Sequence, residues 1–188
     1  GAGLGGGSSD AATTLVALNR LWDCRLSNAE LQALGRGLGA DVPVFVAGKA
    51  AWAEGIGDEL TPIEPDCPWL LVVNPQVSVD TGEVFRHPKL TRNSRHITIR
   101  AFTVGAVRND CEALVSTLYP IVGEALEALG AYAPASLTGT GGCIFARFAS
   151  KQAAETVSQE LPRRWQSWVC QAGNRSALID RLDAGEGH

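Results

Sequence analysis

The chain opens on Gly1-Ala2-Gly3-Leu4-Gly5-Gly6-Gly7-Ser8-Ser9-Asp10, five glycines in seven residues with two hydroxyls and a carboxylate behind them. Glycine lets a backbone take positive φ and approach a bulky group with no Cβ in the way. The residues after Asp10 carry a helical pattern, and a helix start presents unpaired N–H groups at the positive end of a dipole. A glycine-rich loop feeding such a start suits an anion, phosphate above all. The competing reading is a flexible leader capped by Ser or Asp, which a terminal position favours.

Two common phosphate loops fit poorly. A Walker A loop ends in Gly-Lys-Ser/Thr, and the first lysine here is Lys49. Gly1, Gly3 and Gly6 satisfy G-x-G-x-x-G, but that fingerprint belongs between two strands of a βαβ unit. Here two helices come in succession. Ser8 or Ser9 reads as the first N-cap, with Ala11, Leu15, Leu18 and Trp22 as one apolar stripe over about fourteen residues. Ser27-Asn28-Ala29-Glu30 is a capping box, with Leu31, Leu34 and Leu38 behind it and Gly35, Gly37 and Gly39 to end the helix.

A single carboxylate, Asp41, then stands in Gly39-Ala40-Asp41-Val42-Pro43. It reads either as the cap of a short turn near Pro43 or as a general base that orients an alcohol and accepts its proton. Lys49–Glu54 reads as a strand, and Thr61–Pro68, with three prolines, as a linker. Trp69–Val73 is an apolar, buried strand. Further on, Asn109 or Asp110 caps a helix that Pro120 interrupts and Gly130 ends. Ala135–Leu137 and Cys143–Phe148 are strands, Ser150 caps a helix through Leu161, and Ser167–Ala172 is the last strand. Strand, helix pair, strand, strand, helix, strand is the split βαβ, ferredoxin-like order. The stretch His87–Ala106 has no assignable element. The fold class is therefore α+β, with domains over 1–62 and 66–182 and a frayed tail over 183–188.

Leu137-Thr138-Gly139-Thr140-Gly141-Gly142 is a second glycine cluster, readable as a hairpin turn or as a ligand loop whose hydroxyls and amides suit a phosphate or a substrate hydroxyl. A net charge of −4 argues against non-specific nucleic-acid or membrane binding. No apolar run reaches the ~20 residues of a membrane helix, and no signal pattern opens the chain. The five cysteines are scattered and never spaced C-x-x-C, so they read as small apolar fillers in a reducing, cytoplasmic compartment. His87, His96 and His188 form no metal-spaced pair.

The stretch Gly3–Ala12, the Leu38-Gly39-Ala40-Asp41-Val42-Pro43 segment and the Leu137–Cys143 loop together resemble the three motifs of the GHMP kinases. Within that family they are most similar to the branch acting on a nucleotide-linked sugar alcohol, a small-molecule substrate on the way to isoprenoid precursors. The resemblance implies a two-domain fold, the rest of an ATP-binding domain followed by a ferredoxin-like domain. It implies ATP phosphates cradled by Gly1, Ala2, Gly3, Leu4, Gly5, Gly6, Gly7, Ser8 and Ser9, with Ser9 or a water beside it facing Mg²⁺. Asp41 falls in the slot of the catalytic aspartate. Thr81, Phe85, Thr140 and Gly141 fall on the substrate side, Thr81 and Phe85 towards a cytidine; Phe85 reads equally as an ordinary core aromatic. The family's lysine and adenine-pocket strands lie upstream of the loop, so the resemblance makes this sequence a fragment or processed chain with weak turnover by itself. Homoserine or mevalonate kinase activity, or a non-catalytic nucleotide-binding module, are the alternatives. The sequence carries no sign of oligomeric state.

Overall fold

Helix formation starts where glycine supplies the entry. In the computed structural model, which describes residues 3–57, 59–94, 97, 99 and 108–185, α1 spans Gly6–Leu21 and its N-cap is Gly5, at φ 68°. The serine cap expected at Ser8 or Ser9 gives way, because a left-handed residue can turn the chain into the helix without a side chain. Ala12 and Val16 become the buried positions, while Trp22, just past the last turn, is 67% exposed. α2 (Asn28–Arg36) begins at the expected capping box: Ser27 Oγ accepts from the Glu30 N–H, and the Glu30 carboxylate accepts from the Ser27 N–H. Leu31 is buried there, whereas Leu34 and Leu38 face outward. α3 (Val42–Ala47) has a proline in its first turn, where the missing N–H costs nothing. A hairpin of β1 (Ala51–Glu54) and β2 (Glu59–Pro62) comes next, with Ala51 opposite Pro62 and Glu54 opposite Glu59. β2 was hidden in the sequence by the proline-rich stretch it runs into.

The chain then enters a second unit through β3 (Trp69–Asn74) and the short α4 (Thr81–Arg86). α5 (Glu112–Leu118) and α6 (Pro120–Gly130) are split where Pro120 forces Tyr119 out of helical geometry, to φ −126° and ψ 81°. β4 (Ala135–Leu137), β5 (Ile144–Phe148), α7 (Lys151–Glu160) and β6 (Gln166–Gln171) complete the unit. The sheet is antiparallel throughout, in the order β4-β5-β3-β6, as the split βαβ reading requires. Leu71 sits opposite Ala146 and Val73 opposite Ile144. With Leu137 they form the buried face, covered by Val115, Val122, Ala125, Leu129 and Ala154 from the helices. Ser150 caps α7 as expected, its hydroxyl accepting from the Ala153 N–H.

After Ala172 the chain rejoins the first unit. α8 (Ala177–Gly185) packs Leu178 and Leu182 beside Ala12, Val16, Leu31, Val42 and Val46. The two compact units are thus Gly5–Asp66 with the described residues beyond Ala172, and Cys67–Ala172 with Gly3 and Leu4. The boundary at Asp66 falls inside the proline-rich linker. Residues 173–182 part from the sequence-based second domain, and Asp183 belongs to α8 rather than to a tail. Cys24, Cys67 and Cys170 are exposed, so of the five only Cys143 is a buried filler. Among the described residues no helix is long and apolar enough to cross a membrane.

Leu129 is fully buried against the sheet. Leu129→Ala is expected to cost about 2–5 kcal/mol in chemical denaturation, whereas Leu34→Ala, on an exposed face, should stay within about 0.5 kcal/mol. Hydrogen bonds from the Ser27 N–H and then its hydroxyl hold the Glu30 carboxyl below its ordinary pKa. A lowered carboxylate pKa stabilises the fold above the unfolded-state value of about 4.3 and loses that contribution as pH falls through the folded value. Thermal melts should therefore place Glu30→Ala below wild type at pH 7 and bring the two together at strongly acidic pH.

Candidate functional site

Gly1 and Ala2 lie outside the described residues. Gly3 and Leu4 belong to the sheet-bearing unit, and Gly5 onward to the helical one. Gly3 has φ 69°, and a methyl group there would overlap the Thr138 carbonyl oxygen and stand 2.9 Å from the Gly141 oxygen. Gly5, at φ 68°, leaves no room either: its Cβ would meet the Phe45 ring at 2.8 Å. Gly6 and Gly7 differ: among the described residues nothing lies within 4 Å of where a Cβ would point. The first intrahelical bond runs from the Ser9 N–H to the Gly5 oxygen at 2.9 Å. The amides of Gly6, Gly7 and Ser8 therefore precede it, at a helix start with no acidic residue in its first turn.

Ser8 and Ser9 are half-buried. Ser9 lines a cavity of about 400 Å³ together with Phe45, Lys49, Asn174, Arg175 and Ser176, all of the same unit. A second cavity of about 390 Å³, around Ser158 and Trp165, includes none of the expected site residues. Asp41 stands at the N-cap of α3, exposed, with no capping hydrogen bond from its side chain. The capping role open to it in the sequence is thus unused. Phe45, which Gly5 touches, is four residues further along, about 6 Å at the helical rise of 1.5 Å per residue.

The second glycine cluster is the β4–β5 turn. Gly139, Gly141 and Gly142 all have positive φ, at 49°, 115° and 98°. Thr138 is buried, and its N–H and hydroxyl both donate to the Cys143 oxygen at 2.9 Å. Gly141 is buried too, against Val79, Val115 and Leu137. The Thr140 and Thr81 hydroxyls hydrogen-bond to each other at 2.8 Å, so two residues from distant motifs meet. Thr81 opens α4, whose cap is the Asp80 carboxylate. It accepts from the Glu83 N–H at 2.9 Å, and that bond holds the Asp80 pKa below its usual range. Phe85 is 53% exposed, which removes the core-aromatic reading.

Three supporting residues escaped the sequence reading. The Tyr119 hydroxyl accepts from the Asp80 N–H at 3.3 Å and donates to Glu83 Oε2 at 3.1 Å. Asn109 Nδ2 donates to the Leu137 and Gly139 oxygens at 3.0 and 2.7 Å, and Glu112 Oε2 accepts from the Leu137 N–H at 2.9 Å. Asn109 was legible only as a candidate cap; the N-cap of α5 is instead Cys111, which makes no side-chain cap bond, and Asn109 accepts from the Cys111 N–H at 2.9 Å just before it. Among the described residues no group of three or more His, Cys, Asp or Glu side chains could hold a metal ion.

Comparison with known proteins adds the lineage. The family description "GHMP kinases N terminal domain" matches residues 1–49, and "GHMP kinases C terminal" matches residues 90–167. A 4-diphosphocytidyl-2-C-methyl-D-erythritol kinase of Nitrosococcus oceani is 51% identical over 97% of this chain and 65% of its own length. One of Alkalilimnicola ehrlichii is 54% identical over 97% of this chain and 62% of its own. The chain thus spans somewhat under two thirds of these relatives. A crystal structure of 4-(cytidine 5'-diphospho)-2C-methyl-D-erythritol kinase superposes with a TM-score of 0.78 at 31% identity, over 92% of this chain and 67% of that one. A homoserine kinase of Cytophaga hutchinsonii, at TM-score 0.66 and 21% identity, shares the fold. Matched by both domain descriptions and by a solved relative across two thirds of its length, the chain belongs to the GHMP kinase family.

Proposed function

We propose that the full-length protein carrying this sequence transfers the γ-phosphate of ATP to the 2-hydroxyl of 4-diphosphocytidyl-2-C-methyl-D-erythritol. The observation that carries the reading is the open start of α1, seated by Gly5 against Phe45, one helical turn along α3 from a carboxylate that caps nothing. The relatives named for this reaction support the choice of substrate.

In this reading the backbone of Gly1–Ser9 binds the ATP phosphates, with the Gly6, Gly7 and Ser8 amides and the helix dipole facing their charge. Asp41 orients the acceptor hydroxyl and takes its proton. The alcohol oxygen bonds to the γ-phosphorus as the bond to the β–γ bridging oxygen breaks, and ADP leaves. Mg²⁺ would be held with the help of the Ser9 hydroxyl and would neutralise phosphate charge. Thr81, Thr140 and Gly141 shape the substrate side, and the exposed Phe85 ring stacks on the cytosine. The Gly5–Asp66 unit is assigned to ATP, and Cys67–Ala172 to the acceptor.

In a coupled ADP-release assay of the full-length protein, Asp41→Asn should lower kcat by about 10²–10⁴-fold and leave both KM values nearly unchanged. Undiminished turnover by that variant would remove Asp41 from the mechanism. Wild-type turnover of homoserine or mevalonate in place of the cytidine compound would reassign the substrate. Phe85→Ala should raise KM for the cytidine substrate by the ~1–3 kcal/mol of one base–ring stack, with KM for ATP and the melting temperature unmoved. Equal KM values for wild type and variant would take the ring out of the substrate pocket.

A further inference from the structure

We propose that Asn109, with Glu112 beside it, is the positioning residue that sets the shape of the Thr138–Gly142 loop for the reaction, an inference that rests on the kinase reading above. The loop has three positive-φ glycines in four residues, from Gly139 to Gly142. Glycines leave such a loop many backbone states of similar energy, so something outside it must select one. The Asn109 amide does so with three of the four hydrogen bonds it can make. Its two N–H bonds go to the Leu137 and Gly139 oxygens, and its oxygen is bound by the Cys111 N–H. Because both donors sit on one planar nitrogen, they fix the spacing of two carbonyls on either side of Thr138. Glu112 holds the third backbone group, the Leu137 N–H, at 2.9 Å. Both anchors stand at the start of α5, whose Leu114 and Val115 are buried in the core.

The clamp fixes the surface on which other site residues depend. The Thr138 and Gly141 oxygens are the atoms that Gly3 approaches so closely. Thr140, between them, carries the hydroxyl bonded to Thr81. A shift of this loop therefore displaces Gly3 and the Thr81–Thr140 pair together. Misplacement by about 1 Å in a positioned site can cost on the order of 10²-fold in rate.

Asn109→Asp in the full-length protein tests this directly. It keeps the side-chain shape and the acceptor for Cys111, but turns an oxygen towards two carbonyl oxygens. Glu112→Gln is the conservative control, since it keeps an oxygen for the Leu137 N–H. Kinetics well below the melting temperature and hydrogen exchange of peptides covering Gly3–Ser9 and Thr138–Cys143 are the readouts. The expected result for Asn109→Asp is a kcat lowered by about 10- to 100-fold with KM values little changed. Faster exchange should be confined to those two peptides, and Glu112→Gln should stay near wild type. Wild-type kcat in Asn109→Asp, even with a lowered melting temperature, would reduce the residue to a structural one and overturn the proposal. Unaltered exchange in the loop would overturn it as well. If wild type phosphorylates none of the alcohols, the kinase reading fails by its own assay, and the exchange data still decide whether Asn109 sets the loop.

Discussion

Everything in the candidate site depends on how closely two stretches of backbone can approach when no Cβ stands between them. Gly3 and Gly5, two residues apart, each combine positive φ with a neighbour that would collide with any side chain. Gly3 meets the Thr138 carbonyl in the sheet-bearing unit; Gly5 meets the Phe45 ring in the helical unit. The glycine stretch is therefore more than a flexible cradle. Two of its glycines are fixed points, while Gly6 and Gly7 stay open and leave the head of α1 uncovered. That division of labour explains why alternate and consecutive glycines occur together. The alternate ones seat the loop, and the consecutive ones keep side chains away from the first amides of α1.

How much of this was legible depended on whether the signal was local. The capping box at Ser27 and Glu30, the Pro120 break and the strand order of the second unit were readable because each rests on a residue's own backbone chemistry or on a sustained period. The start of α1 was misplaced because a glycine N-cap leaves no hydroxyl or carboxylate to mark it. β2 was missed because its four residues merge with a proline-rich linker, and α4 because six residues are too few to show a period. The return of residues after Ala172 to the first unit could not be read at all. Nothing in Leu178 or Leu182 says which of two cores they join.

The candidate site divides in the same way. Asp41, the glycines and the threonines were found as residue types in motifs, and the structure adds what sequence cannot hold. It shows that Thr81 and Thr140 meet, that Asp41 spends no hydrogen bond on its helix, and that Phe85 is exposed. The long-range bonds of Asn109, Glu112 and Tyr119 went unseen for the opposite reason. Each acts across 25 to 39 residues on backbone groups or a capping residue, with no motif to announce it.

An exposed carboxylate at a helix N-cap position ordinarily takes the first-turn amides, a bond worth about 0.5–2 kcal/mol. Asp41 forgoes it, and Pro43 in the first turn removes one of the amides that would need it. The proline thus lowers the cost of leaving the carboxylate unattached, which gives the Asp-Val-Pro order a physical reason. The acid at Asp80 shows the other choice: tied to the Glu83 N–H and lowered in pKa, it organises α4 and presents Thr81. Two aspartates at two helix starts thus differ by a single hydrogen bond, one carboxylate left off its helix and the other committed to holding a neighbour in place.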